Sequence, residues 1–231
     1  MFYPYGYGFD STFIILLPAI LIAFYAQIRI KSTFNKYSEV RSLKGITAAQ
    51  AARHLLNKAG LDDVPVEMVG GNLTDHYDPR TRVLRLSQSV YNSTSVAAIG
   101  VAAHEAGHAV QHDNSYWPLI FRNSLVPVAN FGSNAAWLLV FLAFFTGYYG
   151  LIDIGIILFS AAVLFQIVTL PVEFNASSRA INLLESEGIL YDDELVSARK
   201  VLSAAALTYI AAMLVSVAQL LRLIAIGRRR K

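Results

Sequence analysis

The chain has 231 residues, of which 55% are hydrophobic and 15% are charged, and its mean hydropathy is +0.46. This composition disfavours a wholly soluble globule and favours a membrane protein. The absence of cysteine excludes disulfides, thiolate nucleophiles and cysteine metal ligands, so histidine and carboxylate side chains must carry any metal chemistry. The net charge of +3 is small, and the basic tail 227–231 beside an apolar segment favours phospholipid head groups over nucleic acid as a partner.

Four apolar segments approach the roughly 20 residues that a membrane-spanning helix needs. The first, residues 11–27, has no basic residue before it, which favours a retained anchor over a cleaved signal peptide. Residues 123–172 are too long for one helix and divide at 146–150 into a hairpin of two helices. The last segment is 201–221. The sequence therefore predicts a mainly α-helical multi-pass membrane protein with about four transmembrane helices.

The more charged residues between the first two apolar segments predict a small α+β domain. Residues 47–61 place apolar side chains at helical spacing behind Thr47, a typical N-cap. Two short runs, residues 64–72 and 81–87, predict strands, with a turn at 77–81 before the second. The predicted sheet lies just upstream of a histidine-rich helix.

These features divide the chain into five predicted segments. They are an N-terminal membrane anchor (1–28), a catalytic part (29–122), a transmembrane hairpin (123–172), a helix (173–200), and a C-terminal membrane helix with a basic tail (201–231).

Basic residues predict the orientation in the cell membrane. They follow the first apolar segment closely and none precedes it, so the positive-inside rule places the catalytic part in the cytoplasm. The residues are Arg29, Lys31, Lys36, Arg41 and Lys44. Four crossings would put the basic tail outside, against the same rule. Either the last apolar segment does not fully cross, or the tail is an exception to a rule in which the earlier cluster usually dominates.

The sequence HEAGH at residues 104–108 matches the motif H-E-x-x-H. On a helix, His104 and His108 lie on one face and can bind one ion, while Glu105 faces a water on that ion. Two imidazoles and one carboxylate leave zinc an open position for that water, and Glu105 is placed to take its proton and return it to the leaving amine. The motif therefore predicts a zinc endopeptidase. The competing interpretation is two partly buried histidines on an amphipathic helix.

His112 continues the same spacing, but an unbroken helix cannot bring it to the same ion. A rise of about 1.5 Å per residue separates His104 from His112 by about 12 Å along the helix axis. Each imidazole would have to come within about 2.1 Å of the zinc. We therefore place His112 beside the site or on the surface, and not among the ligands.

The third ligand must come from another segment on the same side of the membrane. A two-helix hairpin returns the chain to the side that it left, and Glu173 is the first carboxylate after it. Glu185 and Glu187 are alternatives, although a glutamate pair near a glycine is more typical of a solvated helix end.

Three motifs together resemble a known family. They are LTDHYDPRTRVLRLS (73–87), VAAHEAGHAVQ (101–111) and PVEFNASSRA (171–180). The chain resembles the YugP-type membrane-bound neutral zinc metallopeptidases, distant relatives of the HtpX-like membrane peptidases. The resemblance implies a zincin-like catalytic domain with His104, His108 and Glu173 as zinc ligands and Glu105 as the catalytic glutamate.

The sequence differs from the HtpX-like pattern close to the third ligand. In those relatives an aspartate usually follows the ligand glutamate four residues later, whereas this chain has Ser177 there. We therefore assign no supporting role to Ser177, and Asn175 or Arg179 are the candidates to replace the aspartate.

The resemblance also implies how a substrate binds. Zinc peptidases of this kind bind an extended peptide against a sheet edge beside the metal helix, and this role falls to the strand at 81–87. His76, Tyr77 and Asp78 are candidates to line the cleft, although polar residues in such positions mostly serve turn geometry. Protein or peptide substrates, unfolded or in the membrane, are the expected partners besides the lipid bilayer, with no nucleic acid.

Two other functions compete with this prediction. An intramembrane metalloprotease of the site-2 type would need the motif inside a membrane span and a later aspartate such as Asp153, but the segment around His104 is short and ends in polar residues. A non-catalytic zinc-binding scaffold or sensor would have no need of Glu105 and would close the fourth coordination position with another protein ligand.

Overall fold

A computed structural model describes residues 11–229, so parts of the predicted anchor and of the basic tail lie outside the described residues. Helices dominate the fold. After a 3-10 turn at Ser11–Ile15, they are α1 Leu17–Ser38, α2 Ala48–Lys58, α3 Gln88–Tyr91, α4 Val96–Asp113, α5 Trp117–Thr146, α6 Gly150–Ser186 and α7 Asp192–Arg229. Between α2 and α3 lie the strands β1 Val66–Val69, β2 His76–Asp78 and β3 Val83–Ser87.

The chain forms two compact units. The sheet unit consists of Ala26–Asn123 and Val168–Tyr209, and the apolar unit contains Ser124–Ile167 together with the described residues up to Tyr25 and from Ile210 onward. All four predicted segment boundaries fall inside the continuous helices α1, α5, α6 and α7.

Helix α2 confirms the predicted helix at 47–61. Its first turn is closed by a capping box, in which Gln50 N–H donates to Thr47 Oγ1 at 3.2 Å and Thr47 N–H donates to Gln50 Oε1 at 2.9 Å. The apolar face of α2 is buried, including Leu55 and Leu56, and this face holds the helix in the core of the sheet unit.

The three-stranded sheet has the order β1-β3-β2, with β3 parallel to β1 and antiparallel to β2. Strands were expected at 64–72 and 81–87, and β1 and β3 confirm them. The expectation that 81–87 offers a free edge for substrate is wrong, because β3 is the central strand and Leu84 and Leu86 are fully buried. The edge strand that contacts α4 is β2, which the sequence predicted as part of a turn.

Helix α4 carries the H-E-x-x-H motif and is itself a core element. It is capped by Ser95, whose Oγ accepts from Ala98 N–H at 3.2 Å. Most of its residues are buried, and many are alanine or glycine. Because small side chains allow backbones to approach closely, neighbouring helices can come near the histidines.

Among residues 11–229, three helices are long and apolar enough to cross a membrane, and these are α5, α6 and α7. The prediction of a fourth span at 11–27 is not supported. There the α-helix begins only at Leu17 and then continues through the cationic Arg29 and Lys31 to Ser38, so too little of it is apolar. The predicted hairpin turn at 146–150 is confirmed, since α5 ends at Thr146 and α6 begins at Gly150.

Candidate metal centre

Three side chains from two helices of the sheet unit converge on one point. His104 Nε2 lies 3.2 Å and His108 Nε2 lies 3.4 Å from the same oxygen, Oε2 of Glu173. One ligand atom from each residue lies within 4.8 Å of the others, and Glu173 is only 3% exposed. The arrangement brings together the residues that the sequence proposed as ligands.

The spacing of these atoms fits a metal ion. Ligand atoms at about 2.1 Å from a tetrahedral zinc ion lie about 3.4 Å from one another, close to the two distances observed here. Two imidazole nitrogens and one carboxylate oxygen are also a ligand set that zinc accepts.

Burial on its own lowers the pKa of His108, but the hydrogen bond and negative charge of Glu173 outweigh burial and raise that pKa.

The second nitrogen of His108 is held by a buried glutamine. His108 Nδ1–H donates to Gln111 Oε1 at 3.0 Å, which leaves the lone pair of Nε2 free for a metal. Gln111 Nε2 in turn donates to Val172 O and to Asn175 Oδ1, both at 2.9 Å. Asn175, a candidate from the sequence, is thus linked to His108 through Gln111, a residue that the sequence analysis missed.

The second nitrogen of His104 faces Ser177. Ser177 Oγ and His104 Nδ1 are 3.2 Å apart. The sequence analysis assigned no supporting role to Ser177 because it replaces an aspartate, yet its shorter side chain still reaches the imidazole. Arg179, the other candidate, donates from Nε to Asn175 Oδ1 at 2.8 Å and contacts neither histidine.

A glycine inside the motif brings the two ligand helices together. A Cβ built on Gly107 of α4 would lie 2.8 Å from the carbonyl oxygen of Ala176 on α6. Real Cβ atoms do not approach a backbone oxygen so closely, so only glycine allows α6 to lie here. Ala176 is one helical turn after Glu173, and this contact therefore sets the distance of Glu173 from the histidines.

Glu105 lies beside the cluster without joining it. Its Oε2 accepts the main-chain N–H of Tyr77, on the edge strand β2, at 3.0 Å. The hydroxyl of the same tyrosine is hydrogen-bonded to His112 Nδ1 at 2.9 Å. His112 thus lies outside the three-residue cluster and, together with Glu105, attaches β2 to α4.

A pocket of about 150 Å³ opens next to these residues. Its walls include Glu105, His108, Glu173, Tyr77, Arg122 and Tyr209. The last two were missed by the sequence analysis, because Tyr209 lies within an apolar segment and Arg122 directly precedes one. Arg122 Nη2 is 3.8 Å from Glu173 Oε1, and Tyr209 lines the pocket together with Glu173.

The remaining candidates lie near the site or away from it. His76 lines the pocket and donates from Nδ1 to Thr74 O at 2.8 Å. Asp78 closes the β2–β3 turn by accepting from the N–H of Arg80 at 2.9 Å, and the hydrogen bond from Thr81 holds the pKa of its carboxyl below the usual value.

The alternative third ligands do not belong to the cluster. Glu187 is paired with His54 at 3.1 Å, and Glu185 is exposed on α6. Asp153 lies in the first turn of the same helix. The metal-binding group contains none of these three residues.

Residues 12–228 match the protein family described as "Putative neutral zinc metallopeptidase". The chain belongs to this family. A relative in Bacillus subtilis (strain 168), named "Putative membrane protease YugP", is 54% identical over 210 residues, which cover 91% of this chain and 93% of the relative. No solved structure matches the chain. The family predicted from the three motifs is thereby confirmed.

Proposed function

We propose that the protein is a membrane-bound zinc endopeptidase with His104, His108 and Glu173 as ligands and Glu105 as general base. The observation that supports this most is the separation of roles around one pocket. Two Nε2 atoms converge on one oxygen of Glu173, whereas Glu105 is drawn to the Tyr77 N–H and stays outside the ligand set. Three protein ligands leave a fourth position open, as catalytic zinc sites do.

Bound zinc supplies Lewis-acid activation of a water and of the scissile carbonyl. The hydrogen bond from Tyr77 holds Oε2 of Glu105, so its other oxygen is available to the attacking water. Glu105 takes one proton from this water as the water oxygen bonds to the carbonyl carbon. It then returns that proton to the amide nitrogen as the carbon–nitrogen bond breaks, which gives a carboxylic acid and a free amine.

The edge strand β2 is the proposed binding surface for substrate. It is the outermost strand beside α4, and an extended peptide can add to such an edge through main-chain hydrogen bonds. Main-chain pairing imposes little sequence preference, which favours unfolded or exposed segments as substrates. A metal helix beneath an edge strand is also the arrangement of a zincin-like domain, which we propose for the sheet unit.

We propose that the site faces the cytoplasm of a cell-membrane protein. The basic residues of α1 and of the chain that follows it belong to the sheet unit, which carries the site, and the positive-inside rule places such residues in the cytoplasm. A site on this side would act on membrane proteins or on unfolded cytoplasmic proteins.

The competing functions fit the site less well. An intramembrane protease needs its motif within a membrane span, but α4 is not among the apolar spans and lies in the core of the sheet unit. A non-catalytic zinc site needs a fourth protein ligand, but His112 is hydrogen-bonded to Tyr77 and lies outside the cluster.

The test compares three variants with the wild type in detergent, by zinc content and by cleavage of an unfolded model protein. Glu105→Gln should keep zinc and lose cleavage, Glu173→Ala should lose both, and His112→Ala should keep zinc. Cleavage by Glu105→Gln at the wild-type rate would refute the proposed mechanism. Loss of zinc from His112→Ala would refute the proposed ligand set.

A further inference from the structure

Tyr209 brings a neutral hydroxyl donor to the pocket beside a proposed ligand, Glu173. It reaches the site from α7, a helix that supplies no ligand, and its side chain is partly buried. It lines the pocket together with Glu173, whose Oε2 lies within 3.4 Å of both histidines. The hydroxyl therefore lies at the border of the ligand cluster, facing the same pocket as Glu105.

The proposed reaction needs a donor at this border. When water adds to a scissile carbonyl, negative charge develops on the carbonyl oxygen, and a positioned hydrogen-bond donor stabilises that charge. His104 and His108 cannot serve, because their Nδ1 atoms face Ser177 and Gln111. The main-chain N–H of Tyr77 is likewise engaged, by Glu105.

Arg122 is a charged donor in the same pocket, but its geometry differs. Its Nη2 lies 3.8 Å from Glu173 Oε1, beyond hydrogen-bond distance, and on the carboxylate oxygen that faces away from the histidine contacts. From this position the positive charge of Arg122 can offset the negative charge of Glu173 without a hydrogen bond. A tyrosine hydroxyl, in contrast, stays protonated at neutral pH and can exchange one acceptor for another by rotation.

We propose that Tyr209 is a catalytic residue whose hydroxyl donates a hydrogen bond to the carbonyl oxygen of the scissile bond. This inference rests on the proposed peptidase function. The hydroxyl reaches the pocket beside Glu173, and it donates to the substrate oxygen as negative charge develops there. No proton is transferred in this step, since the tyrosine keeps its hydrogen throughout.

The test compares Tyr209→Phe with Tyr91→Phe, which removes a hydroxyl from the same unit outside the pocket. For each protein we would measure zinc content, the kcat and KM for an unfolded substrate, and the Kd of a phosphonamidate peptide that mimics the tetrahedral intermediate. Ground-state binding would be measured with an uncleaved peptide in the Glu105→Gln background.

Tyr209→Phe should keep zinc and ground-state binding while kcat falls about 100- to 1,000-fold, with a similar rise in the Kd of the phosphonamidate. Tyr91→Phe should match the wild type. Loss of zinc from Tyr209→Phe would show that the hydroxyl only positions Glu173. Unchanged phosphonamidate affinity would also overturn the assignment, and a loss in Arg122→Gln instead would transfer it to Arg122.

The same measurements separate this inference from the proposed function. If the wild type neither cleaves nor binds the phosphonamidate, the peptidase function itself is wrong. If the wild type does both and Tyr209→Phe behaves like it, only the role of Tyr209 is wrong.

Discussion

Replacing Gly107 by alanine tests whether helix contact sets the metal site. The new methyl carbon would lie 2.8 Å from the carbonyl oxygen of Ala176. Since close carbon–oxygen contacts lie at about 3.3 Å or more, α6 must move away from α4 by about 0.5 Å. Glu173 lies one turn from Ala176 and should move with it, and a shift of this size exceeds the tolerance of about 0.2 Å in metal–ligand distances.

The expected result has two parts. Zinc affinity should fall about 10- to 100-fold, the range that disturbed support of metal ligands produces. The free energy of unfolding of the metal-free protein should fall by up to about 2 kcal/mol, because overpacking costs about 1–3 kcal/mol and the better helix propensity of alanine returns about 1 kcal/mol. Chelator competition measures the affinity, and denaturation in detergent measures the stability.

Gly100→Ala is the matched control on the same helix. A Cβ there would lie 3.4 Å from Ala198 Cβ, an ordinary contact, so zinc affinity should be unchanged and stability unchanged or raised. If Gly107→Ala binds zinc as tightly as Gly100→Ala does, the close approach of α6 is not what positions Glu173, and the reasoning fails.

Two further predictions concern the support of the site and its side of the membrane. Ser177→Ala should keep cleavage activity at saturating zinc but weaken zinc binding about tenfold, because His104 Nδ1 loses its partner. Chelator competition measures this affinity. An unchanged affinity would mean that the 3.2 Å contact between Ser177 Oγ and His104 Nδ1 does not orient the imidazole. Because the chain has no cysteine, single cysteines introduced at Asn114 and Tyr148 can be labelled with an impermeant maleimide in intact cells. Tyr148→Cys should react directly, whereas Asn114→Cys should react only after permeabilisation. The reverse pattern would place the site outside the cell.

Short sequence patterns correctly predicted those features of the fold that only neighbouring residues determine. Helix α2 follows from its apolar spacing and its Thr47 cap, and the break between α5 and α6 follows from the turn residues at 146–150. The pairing of His104 with His108 follows from helical geometry alone. Each of these depends on residues fewer than about five positions apart, which one helix turn or one tight turn brings together.

Features that depend on distant partners could not be predicted in this way. Strand β2 has only three residues next to an Asp-Pro turn, and it becomes a strand because β3 and Glu105 bind its main chain. In the sequence, Gln111 is an ordinary polar residue near a helix end. Its role follows only from its hydrogen bonds to Val172 and Asn175, which lie far away in the chain. In both cases tertiary contacts determine the structural role, and the neighbouring sequence contains no pattern that predicts it.

The two variable positions of H-E-x-x-H carry information that the motif itself omits. In HEAGH they are Ala106 and Gly107, both buried, and the second admits the backbone of α6. A larger side chain at Gly107 would still match the motif but would exclude the helix that supplies Glu173. The glycine therefore indicates that the third ligand lies on a helix packed directly against the motif. This condition favours Glu173, one turn from the contact at Ala176, over Glu185, which lies more than two turns beyond that contact.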